Sequence, residues 1–206
     1  ELIGIYISVH PLDDYSIVLN NLCTIGMPEV ADLNPFLNQE ITFGGIVTNA
    51  EERISKRGSA FGKIRIEDFK GGGEFLVFGD TWAQFKGYLA VGNSVYITAG
   101  VQPPRWGGKG DPDLNIKKVE WLADVKDRKI QSLTINARLE EIDMALVTEM
   151  LELIRNSVGD SALNFNIYDA STSQKVTLSS RNSRINVTHE LIRYIEAHPA
   201  LSYSIN

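Results

Sequence analysis

Cysteine is nearly absent from this chain of 206 residues, in which Cys23 is the only one. A single thiol excludes a disulfide framework and a cysteine metal site within one chain, and it favours a reducing compartment. No apolar run approaches the roughly 18 residues that span a bilayer. The first fifteen residues, ELIGIYISVHPLDDY, lack the basic stretch and cleavage site of a signal peptide. We therefore expect a cytoplasmic protein without membrane contact.

Recognisable catalytic motifs are also absent. The sequence contains no Gly-x-Ser-x-Gly, no His-Glu-x-x-His, no dinucleotide fingerprint and no P-loop. Adjacent carboxylates such as Glu67 and Asp68 diverge on a strand and rarely share a metal. His10, with no second ligand at metal spacing, is typical of a turn histidine that bonds to backbone. We expect no catalytic residue, metal or cofactor in this chain.

Charge is unevenly distributed along the chain, whose net charge is −6. Residues 1–40 contain six acids and no Lys or Arg, and residues 111–206 contain fourteen acids and eleven bases. Residues 41–110 contain nine bases and six acids. The middle segment is therefore the only part with the excess of positive charge that favours nucleic-acid binding.

The pattern in residues 40–123 predicts an OB-fold domain. Five segments have the composition or alternation of strands: ITFGGIVTNA, FGKIRIED, EFLVF, SVYITAGV and LNIKKVEWL. The amphipathic segment TWAQFKGYL, with Asp80 as its expected N-cap, predicts a helix between the third and fourth strands. Three strands, a helix and two strands are the order of this five-stranded Greek-key barrel. Gly44 and Gly45 predict a bulge or bend in the first strand, and Gly71 to Gly73 predict a turn before the third.

One side of the predicted barrel interleaves aromatic and basic residues. The loop between strands 4 and 5 and that between strands 1 and 2 border the ligand face of an OB-fold, and single strands offer such a face flat bases and regular phosphates. Candidate nucleic-acid-binding residues are Arg53, Lys56 and Arg57 in the first loop, Phe61, Lys63 and Arg65 on strand 2, and Arg105, Trp106 and Lys109 in the second loop. A simpler interpretation makes Lys63 and Arg65 an ordinary solvated strand face and Phe61 a residue packed at the barrel rim.

The flanking segments are predicted to form separate parts. Residues 1–39 predict a lead-in of short helical pieces, broken at His10-Pro11, and residues 27–38 predict a linker. Residues 124–130 are charged and predict a second linker. Residues 124–206 predict a small α+β domain of order βαβββα with an amphipathic helix over 142–158, capped by Gly159. The whole chain is thus mainly β with α+β, and its last domain is interpreted as a protein-interaction module.

The residues also carry a family resemblance. ELIGIYISVHPLDDY resembles the segment that precedes the OB domain in the α subunit of bacterial DNA polymerase III. GGIVTNAEERISKRGSAFGKIRIEDFKGGGEFLVF is similar to the start of that OB domain, with its Gly-x-Val opening, its Glu-Asp pair after strand 2 and its third strand ending in Phe. Val9 departs from the family, in which Gly is common at this position. The resemblance extends from the N-terminus to about Leu122.

The resemblance implies a non-catalytic C-terminal region of a DNA-directed DNA polymerase, a nucleotidyltransferase of DNA replication whose catalytic aspartates lie upstream. It implies single-stranded DNA binding by the OB domain, and contact between residues 132–206 and the clamp-loader τ subunit, among other replisome proteins. Two alternatives stay open. The domain is purely structural or protein-binding, or it is an anticodon-binding OB domain of a class II aminoacyl-tRNA synthetase, whose first three strands share the pattern.

Overall fold

The computed structural model describes residues 10–104 and 110–206. The chain divides into two compact units, Glu1–Val125 and Lys126–Asn206. No helix of the described residues is long and apolar enough to span a membrane.

The first unit is built on a five-stranded antiparallel sheet. Its strands are β1 (Glu40–Ile54), β2 (Ala60–Asp68), β3 (Gly71–Phe78), β4 (Ser94–Gln102) and β5 (Asp113–Trp121), in the spatial order β3-β2-β1-β4-β5. Helix α2 (Gly79–Phe85) lies between β3 and β4 in the chain. This is the element order predicted for an OB-fold. The helix begins before Asp80, which lies in its first turn rather than at the predicted N-cap.

Strand β1 is long because its two halves pair with different strands. Residues 40–46 pair with β4, and residues 46–54 pair with β2. The register shift lies between Val47 and Asn49, a few residues beyond the predicted bulge. Gly44 and Gly45 allow the backbone of β1 to lie close to its neighbours. A Cβ added at Gly44 would lie 2.6 Å from the Val95 carbonyl oxygen, and one added at Gly45 would lie still closer to the Glu67 carbonyl oxygen.

Residues predicted as a linker belong to the core of this unit. The chain forms a short 3-10 turn (Asp13–Tyr15), helix α1 (Ser16–Asn21) and two more 3-10 turns, Met27–Ala31 and Asn34–Phe36. Met27, Val30 and Leu33 are buried in one cluster with the barrel side chains. Residues 27–38 contain only two charged residues, Glu29 and Asp32, in keeping with this burial.

The hydrogen-bonded ladders of the first sheet do not close into a full barrel. Over the described residues, β3 and β5 approach each other without pairing, and each borders a groove. Val30 and Leu33 line the space between them. The predicted barrel is therefore open along one seam.

One local prediction was wrong. Gly71 to Gly73 begin β3, paired with β2, rather than forming a turn. Gly73 is needed for close packing, since a Cβ there would lie 2.3 Å from the Met27 carbonyl oxygen. The reversal is made by Phe69 and Lys70. The charged segment 124–130 lies mostly in helix α3 (Leu122–Lys129), in which Leu122 and Val125 are buried, and the boundary between the two units falls within it.

The second unit has a four-stranded mixed sheet, in the order β8-β7-β6-β9. Its elements are β6 (Ser132–Arg138), a 3-10 turn (Leu139–Glu141), α4 (Met144–Asn156), β7 (Val158–Asp169), β8 (Gln174–Ile185), α5 (His189–Ala197) and β9 (Leu201–Ile205). The order is βαββαβ rather than the predicted βαβββα. Two segments that were predicted as separate strands form the single strand β8, whose pairing with β7 contains a bulge. The five residues before Asn206 form β9, a strand beside β6 that was not predicted.

Gly159 also differs from its predicted role. It lies in β7 rather than at the end of α4, where Ser157 is the C-cap. A Cβ at Gly159 would lie 2.4 Å from the Asn186 nitrogen. Glycine is therefore required here by close strand packing.

Candidate nucleic-acid interface

Strand alternation and register bring three rows of side chains onto the solvent side of β1, β2 and β3. Ile64 and Ile66 are buried, so Phe61, Lys63 and Arg65 point outward, as the alternation predicted. The cross-strand rows are Arg53-Phe61-Phe78, Glu51-Lys63-Leu76 and Asn49-Arg65-Glu74. These rows, together with Glu67, are called the strand face below.

Aromatic and aliphatic side chains form one end of the strand face. Phe61 and Phe78 are direct cross-strand partners, and their rings stack with centroids 5.4 Å apart and planes 28° apart. Phe78 is 38% exposed and Leu76 is 42% exposed. The strand face thus offers an accessible apolar platform of the kind on which bases stack.

Each cation of the strand face is paired with a carboxylate. Lys63 Nζ lies 2.9 Å from Glu74 Oε2, and Arg65 Nε lies 2.8 Å from Glu67 Oε1. A second, longer contact of 3.8 Å joins Arg65 to Glu74. The hydrogen bond from Lys63 holds the pKa of Glu74 below its usual value.

Arg53, the third cation of the strand face, is also paired with a carboxylate. Arg53 donates from Nε to Glu51 Oε2 at 3.1 Å, and this bond lowers the pKa of Glu51. All these partners lie at the surface, where water weakens ion pairs. The strand face therefore carries three cations and three carboxylates, and it is locally neutral.

A groove lies beside the strand face. It has a volume of about 830 Å³ and lies between the β1–β2 turn, β3 and the start of β5. Its lining includes Lys56 and Arg57 from the turn, Leu76 and Phe78 from β3, and Asp113 from β5. The two loops that sequence reasoning placed at the ligand face thus meet at one groove.

The nine candidate residues are placed as follows. Arg53 lies at the end of β1, Lys56 and Arg57 are exposed in the turn, and Phe61, Lys63 and Arg65 share one side of β2. Arg105, Trp106 and Lys109 lie outside the described residues. The structure thus brings six of the candidates to one surface.

Sequence reasoning missed the contribution of β3. Leu76, Phe78 and Glu74 belong to the strand face, but none was a candidate. The sequence contains the needed information, since a two-residue turn at Phe69 and Lys70 pairs Phe78 with Phe61 across β2 and β3. Placing the glycines 71–73 in a turn instead of a strand hid this register.

Metal-binding geometry is not found among the described residues. No three His, Cys, Asp or Glu side chains lie together in residues 10–104 and 110–206 in a way that could hold a metal ion. His10 accepts a hydrogen bond at Nδ1 from the Leu12 backbone nitrogen at 3.2 Å, and its ring packs on Phe69. It is a turn histidine, as its isolation in the sequence suggested.

Comparison with known proteins shows what the chain is similar to. Residues 133–206 match the family described as DNA polymerase III alpha subunit, C-terminal domain. The chain is 28% identical over 174 residues to the DNA polymerase III subunit alpha of Borreliella burgdorferi, covering 82% of this chain and 14% of that protein. It is 24% identical over 169 residues to the subunit of Haemophilus influenzae, again covering 82% and 14%. The chain thus spans about a seventh of these relatives.

Similar solved structures match part of the chain. The second OB-fold domain of replication protein A from Methanococcus maripaludis has 14% identity and a TM-score of 0.28, covering 41% of this chain and 86% of that one. The mitochondrial single-stranded DNA binding protein of S. cerevisiae has 18% identity and a TM-score of 0.31, covering 41% and 95%.

Proposed function

Because the chain corresponds to the C-terminal region of the DNA polymerase III alpha subunit, we propose that its first unit binds single-stranded DNA at the strand face and the adjoining groove. The observation that carries this proposal is the stacked pair Phe61 and Phe78, in which Phe78 is exposed and lines the groove. The surrounding protein is proposed to be a cytoplasmic DNA-directed DNA polymerase.

The charges of the face define how DNA would bind. Lys63 and Arg65 already hold carboxylates, so a phosphate near them must compete with Glu74 and Glu67. Lys56 and Arg57 stand at the groove, in the turn, where a strand running along the platform would pass. We therefore expect stacking on Phe61 and Phe78 to dominate, with a modest dependence on salt.

Fluorescence anisotropy with labelled oligo-dT tests this function. Phe61→Ala and Phe78→Ala should each weaken binding about fivefold or more, since stacking on an aromatic contributes ~1–3 kcal/mol per base. Lys56→Ala with Arg57→Ala should lower both the affinity and the salt slope. Lys117→Ala is the matched control, because Lys117 pairs with Glu40 away from these rows and should leave binding unchanged.

Two results would refute the DNA-binding proposal. The first is undetectable binding of oligo-dT by the unmodified chain at low salt. The second is equal affinity of the unmodified chain and the two phenylalanine variants. Preference for folded tRNA over oligo-dT would instead support the anticodon-binding alternative.

A protein contact is proposed for the second unit. Val176 and Leu178 on β8 are 53% and 52% exposed, beside Phe165 and Ile167 on the same side of the sheet. Helix α4 adds Leu151 and Met144, both exposed. Exposed apolar side chains of this kind favour a protein partner, and we propose the clamp-loader τ subunit as that partner.

Calorimetry with purified τ tests the partner assignment. Leu178→Asp should weaken binding at least tenfold, because it places a charge within the apolar surface. Val91→Asp is the control, since Val91 is 62% exposed in the first unit and should have no effect. Equal affinity of both variants for τ would refute this contact.

A further inference from the structure

The sheet of the second unit has a second side that differs in chemistry from the apolar one. Helices α4 and α5 contact each other, and α5 packs against β9, on the side of buried Leu133, Ile135 and Leu163. The opposite side is made by the alternate residues, which are half-buried or exposed. The name polar sheet face is used below for three of its cross-strand rows; a further row, Ser132-Ala162-Arg184, lies beyond them.

The first row alternates cation, aromatic ring and cation. Arg138 on β6, Tyr168 on β7 and Lys175 on β8 are successive cross-strand partners. Adjacent strands lie ~5 Å apart, so the long side chains of Arg138 and Lys175 can flank anything that rests on the tyrosine ring. Tyr168 is 43% exposed.

The other two rows contain only amides and hydroxyls. They are Ser202-Asn136-Asn166-Thr177 and Ser204-Thr134-Asn164-Ser179, each crossing all four strands. Asn166 Nδ2 donates to Asn136 Oδ1 at 2.9 Å, and Thr177 Oγ1 donates to Asn166 Oδ1 at 2.8 Å. Asn136 Nδ2 in turn donates to Ser202 Oγ at 3.3 Å. Each amide nitrogen has a second N–H, and each amide oxygen a second lone pair, for a further hydrogen bond.

Asp169 and Glu140, two acids near the first row, accept hydrogen bonds from the turn residues 170–172. Asp169 accepts hydrogen bonds from both hydroxyls of Ser171 and Thr172, at 2.6 and 2.7 Å. Glu140 accepts from the Ala170 backbone nitrogen. Glu141 pairs with Arg138 at 3.2 Å, so Arg138 is the cation that must exchange its partner.

The polar sheet face therefore complements a nucleic-acid strand in charge and in shape. Its three rows contain two cations and no carboxylate, although acids outnumber bases in the chain by 26 to 20. Cations recognise phosphates, an exposed ring stacks on a base, and amides recognise base edges. One of these two cations, Arg138, is paired with Glu141, as the cations of the strand face are paired with acids.

We propose that the polar sheet face is a second surface for single-stranded nucleic acid, with a base on Tyr168, phosphates at Lys175 and Arg138, and base edges at Asn136 and Asn166. This surface is independent of the strand face in the first unit. A longer single strand would then contact the chain at two places rather than one.

Photocrosslinking tests the location directly. An oligo-dT that carries 5-iodouracil is irradiated with the unmodified 206-residue chain, and the crosslinked peptides are mapped by mass spectrometry. A crosslink at Tyr168 is expected. Crosslinks at Phe61 or Phe78 without any at Tyr168 would overturn this inference and leave the first-unit proposal standing. A crosslink at Tyr168 alone would support this inference and overturn the first-unit proposal.

Anisotropy with the same oligo-dT tests the residues. Lys175→Glu should weaken binding about fivefold and lower the salt slope by about 0.7, the value for one phosphate contact with a single strand. Tyr168→Ala should weaken binding by a similar factor. Arg193→Glu, an equal charge change at an exposed position of α5, should have no effect. Equal affinities for Lys175→Glu and Arg193→Glu, with unchanged melting curves, would overturn the proposal.

Discussion

Lys63 and Glu74 form an ion pair of 2.9 Å although they are not direct cross-strand partners. The register sets Lys63 opposite Leu76 and Arg65 opposite Glu74. Glu74 therefore contacts Lys63 diagonally and also lies 3.8 Å from Arg65. One carboxylate thus contacts two cations that the proposed function assigns to DNA phosphates.

Glu74→Gln should strengthen DNA binding. Removing the charge frees Lys63 for phosphate and removes a repulsive group, so we expect the affinity for oligo-dT to rise about two- to fivefold and the salt slope to steepen. Folding stability should change little, because these ion pairs are exposed. Glu40→Gln, which frees Lys117 instead, is the control for anisotropy. Equal effects of the two substitutions would show that phosphate does not reach Lys63.

Gly62→Ala should destabilise the first unit. A Cβ at Gly62 would lie 2.4 Å from the ring of Trp82, which is buried and donates from Nε1 to Glu52 at 2.7 Å. Overpacking of this kind costs about 1–3 kcal/mol, measurable by urea unfolding. Gly87→Ala is the matched control, since no atom lies within 4 Å of its added Cβ. A larger loss at Gly87 than at Gly62 would contradict the packing described.

Cys23 should react slowly in the folded chain. Burial, aided by the nearby Asp68 charge, raises the pKa of the thiol to about 12. Because the thiolate is the reactive form, labelling by Ellman's reagent at pH 8 should be about 100-fold or more slower than in the urea-unfolded chain. The rate in urea is the internal control. Similar rates in both conditions would show that the thiol is accessible and ionised.

Asp169 should titrate at unusually low pH. Hydrogen bonds from the Ser171 and Thr172 hydroxyls hold its pKa at about 2, below the usual 3.8. Its stabilising contribution is therefore fully present above pH 3.8 and is lost as the pH falls through about 2. Carboxyl-carbon NMR measures the midpoint directly. Ser171→Ala with Thr172→Val should move that midpoint upward, and an unchanged midpoint would contradict the assigned cause.

Much of the first unit could be predicted because its signals are local. The alternation in FGKIRIED sets Ile64 and Ile66 inward and Lys63 and Arg65 outward, and the succession of strand and helix patterns gives the OB order. Periodicity depends only on side-chain geometry within one strand, so it can be read without knowing the fold. The tyrosine and asparagines of β6 and β7, by contrast, form rows only once the strands are paired.

The sequence alone determined which side of β2 faces solvent, the five-strand order with its helix, and the segregation of charge. Only the tertiary structure decided that Phe78 stacks on Phe61, that the cations of the strand face are neutralised, and that residues near Met27 complete the core. It also added β9 and merged two segments into β8. The reason is physical: alternation is fixed within a few residues, whereas cross-strand partners depend on register, and register is set by contacts between distant parts of the chain.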